Sequence, residues 1–124
     1  MTEASETMRA HGEVELDIFS GMPNPTWILT NDEVDRFVKQ LAVLQRIPAR
    51  ELSGNLGYRG FIVHVTQGAH TQLIRIQTGT VEISRDATKV FAYDLDRQLE
   101  RWLLNTGRPY LKNDLFQIVE REFR

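Results

Sequence analysis

Cysteine is absent from the sequence, which removes disulfide frameworks, thiol nucleophiles and thiolate metal sites together. Histidine is scarce, with three residues in 124. None stands at a metal-ligand spacing: there is no H-x-x-x-H, no H-x-x-E-H and no calcium-loop pattern. A G-x-S-x-G nucleophile elbow is also missing. The residues therefore carry no signature of metal-assisted or serine-based hydrolysis, and they call for neither a metal nor a cofactor. No apolar run approaches the roughly 20 residues that cross a bilayer. The opening MTEASETMRA is polar and acidic, unlike a signal peptide. A cytoplasmic protein with no membrane partner is the expectation. Nor is there a concentrated basic stripe. With a net charge of −2, the chain lacks the electrostatic footprint of a nucleic-acid binder.

What is present suits one folded domain. A chain of 124 residues, 41% hydrophobic and 26% charged, is large enough to bury about two-thirds of its unfolded surface. Its charge is uneven along the sequence. Residues 1–35 balance at −7 and residues 36–84 at +4, an arrangement whose halves neutralise one another once folded.

Residues 1–10 are small and polar and are expected to be a disordered tail, leaving 11–124 as a single domain. After Gly12 the pattern alternates: Val14, Leu16 and Ile18 against Glu13, Glu15 and Asp17, a half-buried strand with an acidic outer face. TWILT (26–30) reads as a second short strand. Thr30 and Glu33 then form a capping box, T-x-x-E, in which each side chain satisfies a free backbone N–H. Leu29 and Val34 fit the flanking hydrophobic staple. Val34, Phe37, Val38, Leu41 and Leu44 fall on one helical face, and the helix is expected to end before Pro48. FIVHVTQ, QLIRIQ and TVEIS are strands of an antiparallel meander, turned by Gly68 and by Thr78-Gly79, and ATKVFAYD adds an edge strand to it. Asp94 is a candidate N-cap for a helix carrying Leu95, Leu99, Trp102 and Leu103, closed by Gly107 and Pro109. A last helix starts at Asn113. The expected fold is α+β: a mainly antiparallel sheet of four to six strands with about three helices, in the order ββαβββ(β)αα.

Two stretches do not read as ordinary framework. In SGMPNPTW (20–27) Pro23 and Pro25 each fix their own φ and push Met22 and Asn24 towards extended angles. The result is a stiff corner that delivers Trp27 to a fixed place. Either it merely redirects the chain, with Trp27 as core, or it is a preformed wall on which Ser20 and Asn24 offer hydrogen bonds to a ligand. In GNLGYRGF (54–61) three glycines surround Tyr58 and Arg59. The glycines do not match the dinucleotide fingerprint G-x-G-x-x-G. Arg59 suits a carboxylate held by two donors, from a ligand or from its own chain. Together, DIFSGMPNPTWILT and LGYRGF resemble small uncharacterised bacterial proteins that share an F-S-G-x-P-N-P-x-W signature. The resemblance covers a minor part of the chain and implies no activity. It implies only that the two stretches occur together, which favours a shared site.

The first functional expectation is thus a non-enzymatic binding module, recognising a peptide or small acidic ligand through Ser20, Asn24, Trp27, Tyr58 and Arg59. The second is a small metal-free enzyme. His64 alternates with Val63 and Val65, and Asp17 and Arg75 also point away from the apolar faces of their strands. If these strands are neighbours, Asp17 would orient His64 for acid–base work and Arg59 or Arg75 would hold an anionic substrate; the bland alternative is cross-strand charge pairing. A structural subunit, or a pair of identical chains, whose partner covers an exposed face is a third possibility.

Overall fold

A computed structural model describes residues 10–124, so the expected tail, apart from Ala10, lies outside the described residues. The alternation noted above becomes strand β1 (His11–Leu16), with Val14 and Leu16 buried and Glu13 and Glu15 on the other face. Strands β2 (Thr26–Ile28), β3 (Gln45–Ile47), β4 (Phe61–Gln67), β5 (His70–Gln77), β6 (Thr80–Arg85) and β7 (Thr88–Tyr93) follow. They form one sheet ordered β2-β1-β4-β5-β6-β7-β3, every neighbouring pair antiparallel. Helices α1 (Asn31–Val43), α2 (Gln98–Thr106) and α3 (Asn113–Arg121) complete the chain. The α+β class and the three helices are as expected. The strand number is not: there are seven, and the chain order is ββαβββββαα.

The additional strand is β3, between α1 and β4. Three residues are too few to show a period of two, and the partner of β3 is β7, more than forty residues on in the sequence. Only its pairing with β7 makes it a strand. The meander β4 to β7 follows its local signals, with two-residue turns at Gly68-Ala69, Thr78-Gly79 and Asp86-Ala87. Thr78 and Gly79 both adopt positive φ (48° and 83°), the twist-matched geometry of tight hairpins.

Register organises the helix-facing side of the sheet into rows. Gly12, Val65, Gln72, Arg85 and Thr88 stand opposite one another across the strands; Val14, Val63, Ile74, Ile83 and Val90 form the next row; Leu16, Phe61, Ile76, Val81 and Ala92 form the third. The helices bury Val34, Phe37, Leu41, Leu99, Leu103, Phe116 and Val119 into one core with the third row and with Val14, Val63, Ile74 and Ile83 of the second. Each such side chain contributes about 1.5–3 kcal/mol on leaving water. The opposite side of the sheet, carrying Glu13, His64, Arg75 and Glu82, has no helix over it.

Local capping fixes where the helices begin. Thr30 Oγ1 accepts from Glu33 N–H (3.1 Å) and Glu33 Oε1 accepts from Thr30 N–H (2.8 Å), the expected capping box. Asp94 caps α2 from further back than an ordinary N-cap. A short 3-10 turn (Leu95–Arg97) with Asp96 and Arg97 at positive φ intervenes, and the Asp94 carboxylate then accepts from Leu99 N–H and Glu100 N–H at 2.8 and 2.9 Å. Burial nevertheless raises the Asp94 pKa above the usual carboxylate value.

Candidate functional site

The two unusual stretches lie side by side at the end of the sheet where β1 finishes and β4 begins. Past β1, Asp17 N–H donates to Gly60 O (2.9 Å) and Arg59 N–H donates to Asp17 O (2.8 Å), so the β1–β4 ladder continues into both loops. Glycine is required at position 60. Its φ is +89°, and a Cβ there would collide with the Ile76 carbonyl of β5. Gln77, at the end of β5, clamps the opposite side of the glycine loop. Its amide accepts from Ser53 N–H (2.7 Å) and donates to Ser53 O (2.8 Å).

Asn24, between the two prolines, turns inward. Its Oδ1 accepts from Ile18 N–H (3.1 Å) and Phe19 N–H (2.8 Å). Its Nδ2 donates to Glu15 Oε2 (2.8 Å) and, more weakly, to Asp17 Oδ1 (3.4 Å). The proline-fixed backbone holds this amide where N–H groups five and six residues earlier need an acceptor, a side-chain-to-backbone closure of the corner. Arg59 completes the frame from the other loop. Nε and one terminal nitrogen donate to Asp17 Oδ1 (3.1 and 2.9 Å), and further donors reach the carbonyls of Phe19 (2.8 Å), Asn55 (3.0 Å) and Gly57 (3.2 Å). The Asp17 and Arg59 side chains are only 12% and 15% exposed, so water screens the ion pair weakly.

Trp27 and Tyr58 also bond within the chain. Trp27 is buried, and its Nε1–H donates to Thr106 Oγ1 at 2.9 Å. Its ring lies against Gly107, where an added Cβ would come within 2.5–2.8 Å of the indole. Tyr58 donates its phenolic hydrogen to Glu100. Burial, then the Glu100 charge, push the phenol's pKa well upward, so it stays a donor. Glu100, fully buried, also takes Arg97 (2.8 and 3.1 Å) and Gly79 N–H (3.1 Å). The two rings do not stack on each other; Phe61 lies between them, edge-on to both, with centroids 6.3 and 6.1 Å away.

Four of the five residues expected to contact a ligand, Asn24, Trp27, Tyr58 and Arg59, thus have their polar groups engaged by the chain itself, and Ser20 is exposed. Among the described residues no buried side-chain nitrogen or oxygen lacks a partner. The residues that project from the joined loops are instead Met22 and Leu56, 59% and 85% exposed. Neither Ile18–Leu29 nor Leu52–Tyr58 contains a charged residue. The available signal for these two was a large apolar residue in a turn, Met22 between Gly21 and Pro23 and Leu56 between Asn55 and Gly57.

Asp17, His64 and Arg75 are not brought together. The Asp17 carboxylate faces Arg59 and Asn24. His64 stands on the uncovered side of the sheet, opposite Glu13 and Leu73, while Arg75 stands opposite Ile62 and Glu82. His11 and His70 lie at the far strand ends. No cluster of three or more His, Asp or Glu able to hold a metal occurs among the described residues, and no helix is long and apolar enough to cross a membrane. No protein-family model, curated protein or solved structure matches the chain.

Proposed function

We propose that the protein is a non-enzymatic recognition module whose partner, a protein or peptide, docks on the surface made by the proline corner and the glycine loop. One observation carries the reading: the Asp17–Arg59 pair, with Asn24 bracing the proline corner beside it, joins the two loops while their tip residues Met22 and Leu56 remain exposed. Rigid loops lose little conformational entropy on binding, so a small apolar contact yields more affinity than it would from mobile ones. Asn24, Trp27, Tyr58 and Arg59 act here as the frame, while Ser20, Met22 and Leu56 make the contact. An acidic ligand is not assigned to this surface, because the Arg59 donors point at the chain's own acceptors. A partner with an apolar pocket fits.

The test uses a photo-crosslinking amino acid at position 56, with position 118 on α3 as the control, in the full chain within its native cell. A discrete crosslinked partner from position 56, lost on Met22→Ser with unchanged melting, supports the reading. Equal crosslinking from both positions, or a partner indifferent to Met22→Ser, overturns it.

A further inference from the structure

The opposite end of the sheet carries a second feature, an open cavity of about 450 Å3 between α1 and the helix-facing side of β5 to β7. Its floor is the second row of the sheet, Ile74, Ile83 and Val90, and its wall is the outer flank of α1, Val38, Leu41 and Ala42. No side chain of α2 or α3 reaches it. Val38 and Val90 are consequently 41% and 38% exposed on its two sides. Next to this aliphatic floor, one row further along the strands, Gln72, Arg85 and Thr88 stand in register on β5, β6 and β7. All three side chains can donate hydrogen bonds.

Arg85 is exposed, and among the described residues the ion pairs are Asp17–Arg59, Glu82–Lys89 and Glu100–Arg97, none involving Arg85. Asp86 follows it in the turn and shares its surroundings without coming within ion-pair distance. Arg46, at the other end of the cavity, already has one nitrogen on Leu41 O (3.2 Å). Strand register therefore sets a guanidinium with no carboxylate partner among the described residues, an amide and a hydroxyl beside an aliphatic trough closed on one side by a helix. A planar anion with two equivalent oxygens matches an arginine fork, and an unbranched hydrocarbon chain matches the trough.

We propose that this groove binds a fatty-acid-type monocarboxylate, its head on Arg85 between Gln72 and Thr88 and its chain along Ile83 and Val90 under α1. The site lies at the end of the sheet away from the joined loops and stands or falls independently of them.

Decanoate, kept below its micelle concentration, is titrated into the full chain and followed by backbone amide NMR, with decanol as the uncharged control. The expected result is saturable binding with shifts centred on Arg85, Ile83 and Ala42, at least tenfold weaker for decanol. Arg85→Gln lowers decanoate affinity at least tenfold, and Ala42→Trp, which fills the groove, abolishes binding; both variants keep the wild-type melting temperature. If Ala42→Trp fails to fold, Val38→Glu at the exposed side of the wall replaces it, with the same loss expected. Decanol binding as tightly as decanoate, shifts centred elsewhere, no saturation, or indifference to Arg85→Gln would each overturn the proposal. So would groove shifts that depend on protein concentration without any ligand, because a second copy of the chain would then be the occupant.

Discussion

The two ends of the sheet are finished in opposite ways. Beyond the Leu16–Phe61 row, two loops are joined by a matched set of donors and acceptors, with Asn24, Asp17 and Arg59 at its centre. At the Val65–Arg85 row the strands stop beside an aliphatic groove, with an arginine that pairs with no carboxylate among the described residues. Both ends carry an arginine near apolar residues, so residue type does not separate them. What does is whether the chain supplies the anion. Where Asp17 does, arginine is architecture; Arg85 has no such carboxylate among the described residues, which is what the proposed ligand site rests on.

That contrast makes stability the first thing to measure. Removing the closed end's cation has the largest expected effect. Arg59→Met leaves Asp17 nearly buried without its partner, and urea denaturation should show a loss of about 3 kcal/mol, the scale for breaking a buried pair from one side. A loss below about 1 kcal/mol, the range of exposed pairs, would mean that the loops do not depend on it. Gly107→Ala comes next. A methyl group there is forced onto the Trp27 ring, and overpacking of this kind costs about 2 kcal/mol. Thermal melting would detect it, and an unchanged midpoint would show that Trp27 moves freely. Thr30→Ala, outside both the joined loops and the groove, removes the N-cap acceptor and should cost about 1 kcal/mol. Met22→Ser and Leu56→Ser, at the exposed tips, should stay within about 0.5 kcal/mol of wild type, as surface changes do. A larger loss would make the tips part of the frame.

The same contrast marks how much was legible in the sequence. The capping box at Thr30 and Glu33 and the tight turn at Thr78-Gly79 were readable because each is complete within a few residues. The proximity of the two loops was suggested by their shared oddity, yet the bonds that join them connect Asp17 to Arg59 across 42 positions, and no local pattern reports such a distance. Asn24 is the instructive case. Its flanking prolines announced a rigid amide, but rigidity is equally useful to a ligand and to the turn's own N–H groups, and only the fold shows Oδ1 facing Ile18 and Phe19. The groove was illegible for a different reason. Gln72, Arg85 and Thr88 become neighbours only through strand register, and Val38 becomes a wall only once α1 lies across the sheet. In the sequence Val38 reads as one more apolar residue on a helical face. Strand β3, Gln45-Arg46-Ile47, was missed because it runs straight on from a helical face, whereas the equally short β2 reads as Thr-Trp-Ile, all strand-forming types.

The most direct test sets the two ends against each other by urea denaturation of Asn24→Ala and Arg85→Gln alongside the wild type. Asn24→Ala deprives two part-buried backbone N–H groups of their acceptor and two carboxylates of a donor, and a fully buried group left unpaired costs about 1–3 kcal/mol, so these four together should reach the lower part of that range. The account predicts a loss of about 1–2 kcal/mol for Asn24→Ala and a change within about 0.5 kcal/mol for Arg85→Gln. Equal and small effects at both positions would contradict it, since Asn24 would then be as free for a ligand as Arg85.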